Sequence, residues 1–107
     1  MSVKIKICGI TRVDDALAVS GEGADYVGLI FARSPRRVDS TTAKAIVEGL
    51  PDRVTPVGVF MDQPAEEIRK ILKETGLKVA QLHGSEPPEV AATLGVDVIK
   101  SVENYNP

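Results

Sequence analysis

The 107-residue sequence holds one cysteine, Cys8, and one histidine, His83. A lone thiol forms no internal disulfide. Without a Cys-x-x-Cys pair or a second histidine, neither redox exchange nor a metal site is expected. No apolar run approaches the ~18–20 residues of a bilayer span. The residues after Met1 enter a strand pattern directly, with no signal-peptide core. The formal net charge of −2 gives no electrostatic argument for nucleic acid or an anionic membrane as a partner. Also absent are a low-complexity linker, a Walker A loop and a GxGxxG fingerprint. The expectation from these absences is a soluble cytoplasmic protein of one small domain.

With 43% hydrophobic and 26% charged residues, the composition is that of a folded chain. Short apolar runs alternate with amphipathic ones. "VKIKIC" (3–8), "YVGLIFA" (26–32), "VTPVGVFM" (54–61), "KVAQLH" (78–83) and "VDVIKSV" (96–102) read as strands. Between them lie four helical stretches. The first starts near residue 12, with Thr11 and Asp14 spaced as a capping box, and its apolar positions are Ala16, Leu17, Val19 and Ala24. The second is "TTAKAIVEGL" (41–50). The third is "PAEEIRKILKETG", with Asp62 as cap, Pro64 in the first turn, a stripe of Ile68, Ile71 and Leu72, and Gly76 as stop. The fourth is the short "PPEVAATLG". The tail "ENYNP" reads as polar and turn-like. Alternating βα units with strands apolar on both faces imply a parallel sheet covered by helices. An open doubly wound sheet and part of a (βα)8 barrel both satisfy this pattern.

In either architecture ligands bind at the C-terminal ends of the strands. Cys8 ends the first strand. It reads as a small buried hydrophobe, or as a base or nucleophile helped by amide N–H groups after Gly9 and by the following helix N-terminus. Gly9 and Gly84 each follow a strand end, where a positive-φ turn or close ligand approach calls for glycine. Arg36 and Arg37 in "SPRRVD" read as solvated, or as a grip on a carboxylate or phosphate. His83 ends the fourth strand, as a structural or a ligand-facing histidine. Asp62 reads as a cap rather than an acid. Lys6 and Gln81 are open between an inward-facing and a solvated position.

The segments "KIKICGITRVDDA", "GADYVGLIFARSPRRV", "PVGVFMDQP" and "VAQLHGSE" stand in this order at the strand ends. Together they closely resemble the phosphoribosylanthranilate isomerases, over essentially residues 3–102. The resemblance implies a (βα)8 barrel. It implies an Amadori rearrangement of N-(5-phosphoribosyl)anthranilate to the 1-deoxyribulose phosphate product, on the tryptophan pathway, with no metal or organic cofactor. It makes Cys8 the general base that takes the C2 proton of the Schiff-base intermediate. Arg36 is the better match to the arginine that contacts the anthranilate part, with Arg37 second. His83, Gln81 and Gly9 join the pocket, and the partner is a phosphorylated small molecule.

The resemblance also implies parts that these residues do not supply. The family barrel has eight strands, and this sequence carries about four βα units and a fifth strand. The family's acid, an aspartate ending strand six, has no counterpart, and Asp97, Glu103 and Glu86 do not stand in its motif. The glycine-rich phosphate loops after strands seven and eight are likewise absent. The expectation is an N-terminal portion of a barrel, 1–107, with very weak or no turnover alone. Its bare edges are expected to drive self-association, pairing with a C-terminal half, or refolding towards an open flavodoxin-like sheet. The rival reading is a truncated, non-catalytic oligomeric or partner-binding α/β module. A response-regulator phosphoacceptor needs acids clustered at the ends of strands one and three, and Lys6-Ile7-Cys8 at the end of strand one does not supply them.

Overall fold

The computed structural model describes residues 4–84 and 86–100. Nine elements alternate: β1 (Lys6–Cys8), α1 (Val13–Gly21), β2 (Tyr26–Ile30), α2 (Ser40–Gly49), β3 (Thr55–Phe60), α3 (Ala65–Thr75), β4 (Val79–Leu82), α4 (Pro88–Ala92) and β5 (Asp97–Lys100). All four strand pairs are parallel. The sheet order is β1-β2-β3-β4-β5. A doubly wound sheet reverses its strand order at a switch point. No reversal occurs here, so the order is that of a barrel segment and not that of a flavodoxin-like sheet.

The strands divide their side chains between two unlike faces, as their period of two requires. The outer face carries Val27, Leu29, Phe60, Ala80 and Leu82. These pack with Ala16 of α1, Ala43 and Ile46 of α2, and Ile68 and Leu72 of α3 into the main core. Phe31 and Phe60 stack there, with ring centroids 5.3 Å apart. The inner face carries Lys6 and Cys8, Val57 and Val59, and Gln81 and His83. Lys6 Nζ donates to Gln81 Oε1 across this face. Two strands separate β1 from β4, about 14 Å along a flat sheet. Side chains standing perpendicular to a flat sheet do not meet over that distance. The contact therefore records a strongly curved, concave sheet.

Several local expectations are corrected. Helix α1 has Arg12 as its N-cap, with no side-chain cap. Thr11 thus lies one residue too early for the capping box; Asp14 and Asp15 are first-turn charges, and Asp14 also pairs with Arg12 at 3.6 Å. Leu17 is exposed; Ser20 is buried instead, its hydroxyl donating to Ala16 O at 2.7 Å. Helix α2 is capped by Asp39, whose carboxylate accepts from Thr42 N–H at 2.8 Å. At α3 the N-cap is Pro64, not Asp62, and Asp62 takes a left-handed φ of 58°. Its stripe packs as read, with Ile68 and Leu72 buried and Ile71 against the core. Gly76 closes α3 at φ 78°, its N–H donating to Leu72 O. The strands are one to three residues shorter than their apolar runs at the ends described. The expected reach of the first strand back to Val3 and of the last to Val102, the tail 103–107 and Ser85 lie outside the described residues.

Candidate functional site

A cleft of about 260 Å³ opens at the C-terminal ends of β1 to β4. Its walls are Cys8, Ile30, Ala32, Arg33, Val59, Met61, Gln81 and His83. Strand register brings them together. Cys8 pairs with Gly28, and Val59 pairs with Gln81. The Cys8 thiol is free and exposed. It lies over Gly28, where a Cβ would stand 2.5 Å from Cys8 Sγ. Only glycine at 28 leaves room for the thiol on this face.

The turn after Cys8 has a different role from the one expected. The N–H groups of Gly9 and Ile10 both donate to Gly28 O, at 3.0 and 3.3 Å. They are spent on the backbone and do not serve the thiol. Gly9 adopts φ 87°, and a Cβ on it would stand 2.6 Å from Arg36 Nη1. The Arg36 guanidinium therefore packs on the backbone immediately after Cys8. The loop that carries it is folded back onto β2: Arg36 N–H donates to Ser34 Oγ, Arg37 N–H to Ser34 O, and Val38 N–H to Ile30 O. Arg36 and Arg37 are both exposed, Arg36 against the Gly9 backbone and Arg37 on the isolated bridge to Ile30, and neither is among the residues that line the cleft. Arg33, at the start of the same loop, lines the cleft too; the sequence puts this loop and Met61 at the rim without singling out Arg33. Its only signal was its position just past a strand end.

Gln81 lines both this cleft and the inner-face cavity below it, which Lys6 and Tyr26 also line. Lysine has only donors, so Lys6 fixes the Gln81 carbonyl oxygen towards β1 and the amide nitrogen away from it. His83 N–H donates to Phe60 O at 2.8 Å, which holds the residue at the rim while its ring faces the cleft. Gly84 is not in the positive-φ region. A Cβ there would stand 2.6 Å from the Asp62 carboxylate, which would have to swing aside.

Behind His83 lies Glu86, whose side chain is 2% exposed. It accepts from Asp62 N–H at 2.7 Å, Gly84 N–H at 2.9 Å and Lys100 Nζ at 2.8 Å. Burial pushes its carboxyl up. The Lys100 ammonium and the N–H groups of Asp62, Glu86 and Gly84 outweigh burial and hold its pKa down to about 2. Glu86 is thus a committed carboxylate and not an acid available to the cleft. Asp97 starts β5, at the end of the strand away from the cleft. Glu103 lies outside the described residues.

Among the described residues no three His, Cys, Asp or Glu side chains gather as a metal site, and no helix is long and apolar enough to cross a membrane. Residues 5–106 match the model of the family described as N-(5'phosphoribosyl)anthranilate (PRA) isomerase. The N-(5'-phosphoribosyl)anthranilate isomerase of Chlorobaculum tepidum is 50% identical over 105 residues, covering 97% of this chain and 47% of the relative. The crystal structure of phosphoribosyl anthranilate isomerase from Thermus thermophilus superimposes with a TM-score of 0.87 at 48% identity, covering 92% of this chain and 50% of that one. A phosphoribosyl anthranilate isomerase in complex with reduced 1-(o-carboxyphenylamino)-1-deoxyribulose 5-phosphate gives a TM-score of 0.92 at 39% identity, covering 98% and 56%. The chain spans about half the length of the curated relatives it matches.

Proposed function

Since the chain belongs to the N-(5'-phosphoribosyl)anthranilate isomerase family, we propose that its cleft is the base-and-aryl side of an isomerase site. The reaction is the Amadori rearrangement of N-(5-phosphoribosyl)anthranilate to 1-(2-carboxyphenylamino)-1-deoxyribulose 5-phosphate, within tryptophan biosynthesis. The observation that carries this reading is the exposed Cys8 thiol at the end of β1, in one cleft with Gln81 and His83, with the Arg36 guanidinium against the backbone of the next residue, Gly9.

In this reading the Cys8 thiolate removes the C2 proton of the ring-opened Schiff base. The resulting enolamine returns a proton to carbon as it becomes the ketone, so the net change is an isomerisation. A thiol base suits the step because only its ionised form accepts a proton, and general-base catalysis contributes about 10²–10⁴ in rate. Arg36 grips the anthranilate carboxylate, for which a planar guanidinium is the geometric match. Gln81 and His83 shape the wall opposite Cys8, and Gly9 admits Arg36 to its place. No metal or organic cofactor is called for, and the lone thiol suits a reducing cytoplasm.

Ring opening also needs a proton donor at the ring oxygen, and the phosphate needs a cradle. Among the described residues no Asp or Glu lines this cleft. The 107 residues accordingly form the N-terminal portion of a barrel site and turn over very slowly alone. A second reading, a non-catalytic module that self-associates or pairs with the remainder of a barrel, is favoured by one observation. The inner face leaves Met61 and Ile99 about 42% exposed.

The deciding experiment is isomerase turnover, followed by loss of substrate fluorescence. It uses the chain alone and the chain mixed with the C-terminal half of a family member. Turnover in the mixture that falls about 10²–10⁴-fold in Cys8→Ser supports the assignment. Turnover that Cys8→Ser leaves unchanged overturns Cys8 as base. Binding of the half without turnover supports the second reading.

A further inference from the structure

Two side chains outside the cleft tie its walls together. Gln63 Oε1 accepts from Met61 N–H at 2.6 Å, and Gln63 Nε2 donates to Phe31 O at 3.0 Å. This joins the loop after β3 to the end of β2. Glu86 joins the same loop to the next two strands, through Asp62 N–H, Gly84 N–H and Lys100. Lys100 also donates to Gly84 O at 2.5 Å. The two sets of bonds meet at consecutive residues, Met61 and Asp62.

Each wall residue is pinned on both sides. Met61 has its own N–H on Gln63 and the following N–H on Glu86. His83 has its own N–H on Phe60 O and the following N–H on Glu86. Between the anchors Asp62 holds φ 58°, which residues with a Cβ seldom adopt unless their surroundings impose it. Glu86 is buried and Gln63 half-buried, and each side chain bonds backbone groups of two segments, which fixes the geometry between them.

We propose that Gln63 and Glu86 are positioning residues that form one belt, holding Met61 and His83 in register across the cleft, so that releasing either side chain displaces both walls. The inference rests on the reading of this cleft as a reaction site. Neither side chain lines the cleft, so each acts through the residues it holds.

The single histidine and the two methionines allow a test that needs no ligand. The His83 Cε1–H and Met61 ε-methyl NMR signals are recorded for the wild type, Gln63→Leu, Glu86→Gln and Ile46→Val. The last is a control on α2, within the core and away from the rim. Both signals shift in Gln63→Leu, both shift in Glu86→Gln, and neither shifts in Ile46→Val. The belt is overturned if Gln63→Leu moves Met61 alone, if Glu86→Gln moves His83 alone, or if the control moves both. Should Glu86→Gln not fold, Lys100→Met removes one Glu86 partner together with the bond to Gly84 O, and leaves the Met61 and Asp62 N–H acceptors in place. Both signals shifting supports the belt, and either staying in place overturns it. Isomerase turnover is scored separately in the reconstituted mixture. Its absence counts against the reaction and not against the belt.

Discussion

At the scale of single residues, the space around Cys8 is set by a neighbour with no side chain. Gly28→Ala places a methyl 2.5 Å from Cys8 Sγ and 3.2 Å from Cys8 Cα, on a strand hydrogen-bonded to both β1 and β3. The expected cost is about 1–3 kcal/mol, as for other overpacked sites. Thermal unfolding should show this loss, together with a changed alkylation rate of the Cys8 thiol. An unchanged rate would mean the thiol does not rest on Gly28. Glu86 gives a pH prediction. Its pKa of about 2 is depressed from the ordinary 4.5, so its stabilisation is complete above about pH 4.5 and fades as pH falls towards 2. The loss is at most about 3 kcal/mol, since half-exposed Lys100 is screened by water. Urea unfolding between those pH values should show this loss in the wild type and a flatter profile in Glu86→Gln. Equal slopes would remove Glu86 as the titrating group.

At the scale of elements, the helix ends show what sequence patterns capture and what they miss. Gly76 was legible, because a glycine after the last apolar position of a periodic stretch matches a left-handed stop. Nothing lies within 4 Å of a Cβ at Gly76, so Gly76→Ala isolates the backbone penalty. Its expected cost is about 1 kcal/mol, read as a lowered midpoint with an unchanged m-value. No loss would show that the turn relaxes. The start of α1 was not legible. Thr11 and Asp14 have the spacing of a box, but the chain stays extended through Arg12 because β1 and its turn are tied to Gly28. Asp62 was misread for a similar reason. It precedes a helix, yet its N–H belongs to Glu86, 24 residues on.

At the scale of the molecule, β1 and β5 each have one hydrogen-bonded neighbour among the described residues. Ile99 and Met61 stand exposed on the concave side, and Ile5 is 48% exposed near the other edge. Open parallel edges beside apolar surface favour association. Sedimentation velocity of the chain should show mass rising with concentration, and Ile99→Lys should weaken that rise. A monomer at every concentration would mean these edges are protected in solution.

The sequence by itself determined the alternation of strands and helices, the parallel sheet, the core stripe of α3 and the rim positions of Cys8 and His83. All of these follow from short-range periodicity and from the rule that strand ends carry ligands. The family was legible too, because four motifs stood in order at those ends. Tertiary structure decided what periodicity leaves undetermined. It placed β1 at an edge rather than between β2 and β3, and it curved the sheet until Lys6 reached Gln81. It also brought Arg33 into the cleft, and it committed Glu86 to Lys100 and two backbone N–H groups. These are contacts between residues far apart in the chain, and no local pattern encodes which distant partner a polar side chain will find.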